Sequence, residues 1–363
     1  MAKRVGVDKW LFGTVLTLVL FGLVMVFSAS AMLAKAQYGT PYSFAMKQAV
    51  WAILGIVALF ILMKIDYRRY NNPRLIFPAI AITTLLLLIV FVMGAVNGAH
   101  RWIRIGGITL QPSELAKPVI VLFLSYFLQS RIHQMDDWKG TILRAAAPPL
   151  LLVALILKEP DLGTSMVCVG VTALMLYLAG ADFKYFFYAA IPGSFILYWM
   201  LFHVAWRRAR MLAFWNPDAD PRGTGFHILQ SLIAVGTGGF HGLGLMEGRQ
   251  KLFYIPEPHT DFIYATICEE LGLLGAIALV GLFCFFGYRG LRAAILSTDP
   301  FARFLAFGLT TTILIQAFFN ISVVLALVPT KGIPLPFISS GGTAVFITLA
   351  SMGVLLNITR EID

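Results

Sequence analysis

Charged residues are scarce in this chain, since they fill 13% of its 363 positions while hydrophobic residues fill 59%. A soluble domain carries about 25% charged residues, and a smaller share could not cover the surface of a globule in water. This scarcity excludes the two or three soluble domains that the length alone would suggest. It predicts an all-α polytopic membrane protein, formed as a single integral-membrane domain over residues 1–363.

Cysteine is rare as well. The three cysteines, Cys168, Cys268 and Cys284, all lie in apolar runs. An odd set of buried thiols excludes a disulfide framework and a zinc pattern. No two of the six histidines are close enough in sequence to form a local metal motif. We therefore expect no structural metal.

Acidic residues are outnumbered, 18 against 28 basic ones, so the net charge is +10. In a soluble protein this excess would suggest a nucleic-acid partner. In a membrane protein the positive-inside rule explains it first, and we expect no nucleic acid.

Apolar runs of about 20 residues predict membrane-spanning helices. The chain has ten candidates: 10–33, 45–63, 75–96, 115–129, 142–157, 163–180, 184–203, 262–288, 301–327 and 337–358. The first follows a basic start, as in a signal peptide, but its length favours a retained helix.

Loop charge predicts the orientation. With the N-terminus inside, fifteen Lys and Arg lie in inner segments and six in short outer loops, which places both termini in the cytoplasm. Residues 204–261 then form a long extracytoplasmic loop between helices seven and eight, with a short helical pattern over Ile228–Val235. Long ordered loops are uncommon unless they are functional.

The densest polar motif, residues 254–264, ends this loop. Asp261 follows His259 and Thr260 at the start of helix eight. An Asp or Thr here could cap the helix by accepting a backbone N–H. Asp261 could instead be a general base, although the helix dipole would favour its ionised form.

Other ionisable residues enter the predicted helices. Glu114 and Lys117 share one face of helix four, either as a buried ion pair or as substrate ligands. For Glu269 and Glu270 in helix eight we expect hydrogen bonds to neighbouring helices.

Irregular backbone follows helix nine. The segment 328–342 holds three prolines and three glycines together with Lys331, Ser339 and Ser340. Such backbone survives at membrane depth only inside protein or along a wet cavity, so it either packs helices or lines a site.

Arginines follow helix seven. Arg207, Arg208 and Arg210 belong either to a solvated loop or to a phosphate site, for which guanidinium groups are suited. The residues alone thus indicate an outward cavity with one carboxylate and several cations. A lipid-linked phosphate substrate and a transported anion both fit such a cavity.

Four motifs in chain order resemble the SEDS family (shape, elongation, division and sporulation proteins) of bacterial peptidoglycan polymerases. They are residues 21–30, residues 97–103 with 111–114, residues 256–262 followed by 269–272, and residues 334–342. Ser340 departs from the family, which more often has Tyr there. Residues 329–332 and 250–256 resemble the division members more than the elongation members.

The resemblance implies a SEDS-type fold and a reaction. Lipid II, a disaccharide-pentapeptide on undecaprenyl pyrophosphate, would be polymerised with inversion to a β-1,4 link. Asp261 would be the general base. The cations expected to bind pyrophosphate are Arg101, Lys117, Arg207, Arg208 and Lys331. The expected substrate site also includes Glu114, Lys251, His259, Thr260, Ser339 and Ser340.

The resemblance also implies partners. A class B penicillin-binding protein, which is a transpeptidase, and other membrane proteins of the division machinery would assemble with the chain in the bacterial plasma membrane, at the septum. No cofactor is certain, although a divalent cation, Mg²⁺ or Mn²⁺, could accompany the pyrophosphate. The alternatives are a lipid II flippase, an elongation-type polymerase and a scaffold for division proteins.

Overall fold

The computed structural model describes residues 6–93, 100–105, 108–251 and 258–361. Within these ranges the chain is almost entirely helical. The α-helices are α1 (Lys9–Tyr38), α2 (Ser43–Lys64), α3 (Pro73–Val90), α4 (Pro112–Gln129), α5 (Leu143–Lys158), α6 (Leu162–Leu178), α7 (Phe183–Phe202), α8 (Ala205–Trp215), α9 (Phe226–Gly238), α10 (Ile263–Leu296), α11 (Pro300–Val324) and α12 (Gly342–Ile358). A hairpin of β1 (Ile103–Ile105) and β2 (Ile108–Leu110) pairs Ile103 with Leu110.

A helix occupies each of the ten predicted spans. In the described part of the chain, eight are long and apolar enough to cross a membrane: α1, α2, α3, α5, α7, α10, α11 and α12, where α5 is counted with the preceding turn as Trp138–Lys158 and α12 with the following turn as Gly342–Glu361. The other two are α4, which carries Glu114 and Lys117 in its first two turns, and α6, which has 17 residues. Both pack against α11, so they need not be apolar all round.

The centre of the bundle is built from α4, α6, α10 and α11, and α2 lies along α12. These helices supply most of the buried apolar side chains. By contrast, α7 buries none of its residues and packs mainly on α8. It therefore stands at the periphery, where lipid would cover its aromatic side chains.

The two ends of the chain meet on one side of the bundle. The backbone N–H of Asp8 donates to Thr359 Oγ1 over 3.2 Å, and Arg289 forms an ion pair with Asp8 at 2.6 Å. Arg68 forms a bidentate ion pair with Glu361 at 2.7 and 2.6 Å. We call this side the terminal end and the opposite one the Asp261 end.

The predicted helix eight is not continuous. Gly272 interrupts α10 with φ 65° and ψ −165°, a conformation essentially restricted to glycine. The break frees backbone groups, and the glycine-rich segment that follows α9 pairs with them. Leu243 and Gly244 donate to the carbonyls of Glu269 and Glu270, while Leu273 and Leu274 donate to those of Gly239 and Phe240. These four hydrogen bonds compensate for helical hydrogen bonds that the break removes.

The long loop is folded rather than extended. The predicted pattern over Ile228–Val235 is confirmed by α9, but α8 was not expected as a helix. It starts directly after α7 and ends at Trp215, before Asn216-Pro217, because the residue ahead of a proline is disfavoured in helical geometry. The loop and the hairpin form the Asp261 end together with the segments before α6 and α12.

Candidate active site

Asp261 lies immediately outside the first turn of α10. Phe262 occupies the N-cap position, so Asp261 is one residue ahead of the place that the capping hypothesis assigned to it. Its backbone carbonyl accepts a hydrogen bond from Asn320 Nδ2 at 2.8 Å. Its carboxylate lies against Gly332, where an added Cβ would come within 2.5 Å of Oδ2. The carboxylate and the segment before α12 therefore share one site.

Two serines fasten this segment to the backbone ahead of Asp261. Ser339 Oγ donates to the carbonyl of Thr260 at 2.5 Å and accepts the N–H of Leu335 at 2.8 Å. The N–H of Ser340 donates to the carbonyl of His259 at 2.8 Å. Ser339 and Ser340, which were predicted to bind substrate, thus contact His259 and Thr260, which were predicted to do the same. These contacts hold the backbone that carries Asp261 in place.

His259 is buried under α2. Its ring packs on Phe44 with 4.4 Å between centroids, and burial lowers its pKa to about 4. The imidazole is therefore neutral at physiological pH. It contributes packing to the loop that carries Asp261 rather than a positive charge.

Four cations lie within electrostatic range of one another at the Asp261 end: Arg101, Arg207, Arg210 and Lys331. Two of them are tied to Asp261, because Arg210 senses its charge and Lys331 precedes Gly332, which lies against its carboxylate. The predicted pyrophosphate ligands include three of the four, and Arg210 was grouped with Arg207 and Arg208 without being predicted as a ligand. We call the four cations the cation cluster. A group of like charges is costly unless an anion neutralises it, so the cluster is suited to a phosphate-bearing ligand.

The helical period of α8 places Arg207 and Arg210 on one side of the helix and Arg208 on another. Arg207 and Arg210 are three residues apart and both stack on Trp206, with 5.0 and 5.2 Å from guanidinium to ring centroid. Arg208 is rotated by about 100° from Arg207 and is exposed. Arg210 is exposed at its surface, yet partial desolvation by the surrounding protein, followed by the charge of Arg101, lowers its pKa.

Lys331 has the most strongly shifted pKa of the cation cluster. Burial, followed by Arg207 and Arg210, lowers its pKa to about 8, and Asp161 opposes this shift. Its ammonium group is therefore partly deprotonated just above neutral pH.

The turn between α5 and α6 forms the far wall. Arg101 donates to the carbonyls of Glu159 and Pro160 at 3.2 and 2.6 Å. Asp161 caps α6, with Oδ1 accepting the N–H of Thr164 at 3.2 Å. The Glu159 side chain is fully buried, and burial followed by Asp161 raises its pKa to about 8. Sequence reasoning missed both acids, although an Asp three residues before Thr at a helix start is a capping signal.

Glu114 and Lys117 form the buried ion pair that was one of two alternatives. Lys117 Nζ lies 2.7 Å from Glu114 Oε2 and donates to Gln316 Oε1 at 2.6 Å. These contacts join α4 to α11 inside the bundle. A direct substrate role for the pair stays a prediction.

The side chain of Lys251 is also buried inside the bundle. It contacts Glu270 Oε1 at 2.5 Å and Ser28 Oγ at 3.2 Å. Glu269 accepts the backbone N–H groups of Arg249 and Gln250 at 2.7 and 3.1 Å. The two glutamates form hydrogen bonds as predicted, although their partners are α1 and the end of the long loop. A role of Lys251 in substrate binding stays a prediction.

Residues 97–99 and 252–257 of the quoted motifs lie outside the described residues. Within the ranges that are described, no three His, Cys, Asp or Glu side chains form a group that could hold a metal ion. The described site thus consists of Asp261, the four cations, and the turn between α5 and α6 with Glu159 and Asp161.

Comparison with known proteins places this site in a family. Residues 8–363 match the FtsW/RodA/SpoVE family model, described as "Cell cycle protein". The chain belongs to this family. It is 42% identical to the "Probable peptidoglycan glycosyltransferase FtsW" of Geobacter metallireducens, over 94% of this chain and 91% of that protein. It is 37% identical to "Stage V sporulation protein E" of Bacillus subtilis, over 99% and 98%.

Solved structures share the fold of this FtsW/RodA/SpoVE chain. One is a chain of a structure described as "Structural coordination of polymerization and crosslinking by a peptidoglycan synthase complex", with a TM-score of 0.80, 26% identity and coverage of 98% and 97%. Another is the rod shape determining protein RodA of Thermus thermophilus, with a TM-score of 0.71, 26% identity and coverage of 98% for both chains. The all-α polytopic membrane fold and the family expected from the sequence are confirmed.

Proposed function

We propose that the chain is a peptidoglycan glycosyltransferase that polymerises lipid II at the outer face of the bacterial plasma membrane. The observation that carries the proposal is one carboxylate, Asp261, beside the cation cluster at one end of a membrane bundle. The relatives named as peptidoglycan glycosyltransferases support it.

The geometry suggests a role for each group. Asp261 accepts the proton of the acceptor sugar's 4-hydroxyl as its oxygen attacks the donor's anomeric carbon. The bond from that carbon to the pyrophosphate oxygen breaks, and inversion gives the β-1,4 link. Negative charge grows on the departing undecaprenyl pyrophosphate, and the cation cluster stabilises it there.

A divalent cation, Mg²⁺ or Mn²⁺, would enter with the pyrophosphate. Among the described side chains of the site the cations outnumber the carboxylates, an arrangement that does not favour a resident divalent metal. The proposed reaction therefore assigns no step to a bound metal.

The chain would work with a transpeptidase of the penicillin-binding class at the division septum, with both termini in the cytoplasm. The similarity to a chain of a peptidoglycan synthase complex supports such a partner. The 42% identity to a protein named FtsW favours division over elongation.

Replacement of the carboxylate tests the proposal. We expect Asp261→Asn to lower glycan synthesis from purified lipid II, with the partner present, by at least about 100-fold, because a positioned general base supplies that much. Asp218→Asn is the matched control, since Asp218 is an exposed carboxylate on the same loop. Normal polymer from the Asp261→Asn protein would exclude the proposed mechanism. Lipid II translocation in vesicles holding only this chain would favour a flippase instead.

A further inference from the structure

The side-chain amide of Asn320 joins two loops of the site. Asn320 lies on α11 and is 1% exposed. Its Nδ2 donates to the carbonyl of Asp261 at 2.8 Å and to that of Ile333 at 2.7 Å. Both partners can only accept, so the nitrogen and not the oxygen of the amide must face them. One rigid group on a helix thus holds the backbone ahead of α10 against the backbone ahead of α12.

These two hydrogen bonds act close to the reacting groups. Gly332 lies between Lys331 and Ile333 in the sequence, and its backbone lies against the carboxylate of Asp261. The bond to Asp261 fixes the residue that carries the carboxylate. The bond to Ile333 fixes the segment that carries the ammonium group. The separation of the two therefore depends on the position of Asn320.

The described hydrogen bonds of Asn320 all use its donor nitrogen. Both hydrogens of Nδ2 go to backbone carbonyls, one in each of the two loops. The amide therefore acts on the two loops together.

Gln316, one turn earlier on α11, provides the contrast. Its Nε2 donates to the carbonyl of Pro334 at 2.8 Å, and its Oε1 accepts from Lys117 at 2.6 Å. Gln316 thus anchors the same loop to the bundle through an amide of the same chemistry, but it does not touch Asp261.

We propose that Asn320 is a positioning residue that sets the Asp261 carboxylate against the Lys331–Ile333 segment, so that the base and a cation of the cluster act on one substrate. The catalytic meaning of this assignment rests on the proposed glycosyltransferase function. The distance between the two loops can be measured whether or not the protein shows glycosyltransferase activity.

A disulfide measures that separation directly. In the full chain, Asp261→Cys with Gly332→Cys places two thiols across the contact that Asn320 holds, and disulfide formation requires close approach. We expect Asn320→Ala to slow formation of this disulfide severalfold, and Gln316→Ala to change it much less. Peptide mass spectrometry identifies which two cysteines are joined, so the three native cysteines need not be replaced. Equal rates in the Asn320→Ala and parent proteins would overturn the proposal.

Kinetics then separate positioning from general stability. We expect Asn320→Ala to lower kcat by up to about 100-fold, the scale of a 1 Å misplacement, with KM for lipid II nearly unchanged. Asn320→Asp keeps the shape but loses the donor, so it should not restore kcat, and it replaces the alanine variant if that fails to fold. Equal kcat losses in the Asn320→Ala and Gln316→Ala proteins, at equal unfolding temperatures, would contradict the proposal. A wild-type protein that makes no polymer would refute the proposed function, while the disulfide result would still stand.

Discussion

Two groups of the site titrate in the same pH range with opposite chemistry. Lys331, a base whose pKa burial lowers to about 8, is charged below that pH and neutral above it. Glu159, an acid whose pKa burial raises to about 8, is neutral below that pH and negative above it. Rising pH therefore removes positive charge at Lys331 and adds negative charge at Glu159, and Asp161 and Arg101 lie within electrostatic range of both.

These two pKa shifts predict that the protein binds its substrate less tightly at alkaline pH. We expect KM for lipid II to rise between pH 7 and 9.5, because the site then attracts a pyrophosphate less strongly. Lys331→Arg should reduce this rise, since a guanidinium stays charged, and Glu159→Gln should reduce it further in combination. The substrate's own titration is the same for every variant. An unchanged pH profile of KM in the double variant would show that neither group controls binding.

At the scale of elements, the break in α10 sets the shape of the Asp261 end. The first part of the helix, up to Gly272, carries Asp261 at its start and the two glutamates near its end. Glu270 forms its ion pair with Lys251, and the backbone at the break pairs with residues 239–244. The long loop is therefore fixed to the same short helical piece that presents the base.

Gly272→Ala tests this dependence. The substitution would place a Cβ against the backbone nitrogen of Gly242 and force a side chain into a glycine-only conformation. We expect a loss of about 1–3 kcal/mol in stability from the backbone strain alone. Thermal unfolding in detergent measures it.

Gly281→Ala is the matched control. Gly281 lies in the same helix, and a Cβ there meets nothing within 4 Å. Alanine should be neutral or stabilising at that position, because it has the higher helix propensity. If both variants unfold at the same temperature, the break does not depend on glycine.

At the scale of the whole molecule, the sequence predicted the helices well and their interruptions poorly. Apolar runs located all ten spans because a bilayer demands length and hydrophobicity of each segment. The break at Gly272 was missed because its compensating hydrogen bonds come from a segment some thirty residues earlier. Glycine is common in membrane helices, so its presence alone does not signal a break.

The site was predicted in the same uneven way. Motif resemblance singled out Asp261, Arg101 and Lys331, which the structure brings together. Arg210 was grouped with Arg207 and Arg208 but was not predicted as a ligand, because α8 was not recognised and its helical period was therefore not used to compare Arg208 with Arg210. Asn320 and Gln316, four residues apart, make a polar stripe in the apolar sequence of α11, but nothing in that stripe identifies the carbonyls that Asn320 contacts, which belong to distant loops.

Orientation in the membrane is the property on which the proposed substrate depends most. The contact between Asp8 and Thr359 places both ends of the described chain on one side, so the Asp261 end faces the other. The excess of basic residues in the loops of the terminal end predicts that this end is cytoplasmic. The site would then face outward, where glycan strands are built.

Cysteine labelling measures this orientation. We expect Arg222→Cys, an exposed position on the long loop, to react with a membrane-impermeant maleimide in intact spheroplasts. Arg69→Cys, exposed between α2 and α3, should react only after permeabilisation. Cys284→Ala removes the exposed native thiol, and a parent carrying that change alone is the control. The reverse pattern would put Asp261 in the cytoplasm and exclude polymerisation at the outer face, because the site would then lie across the bilayer from the growing wall.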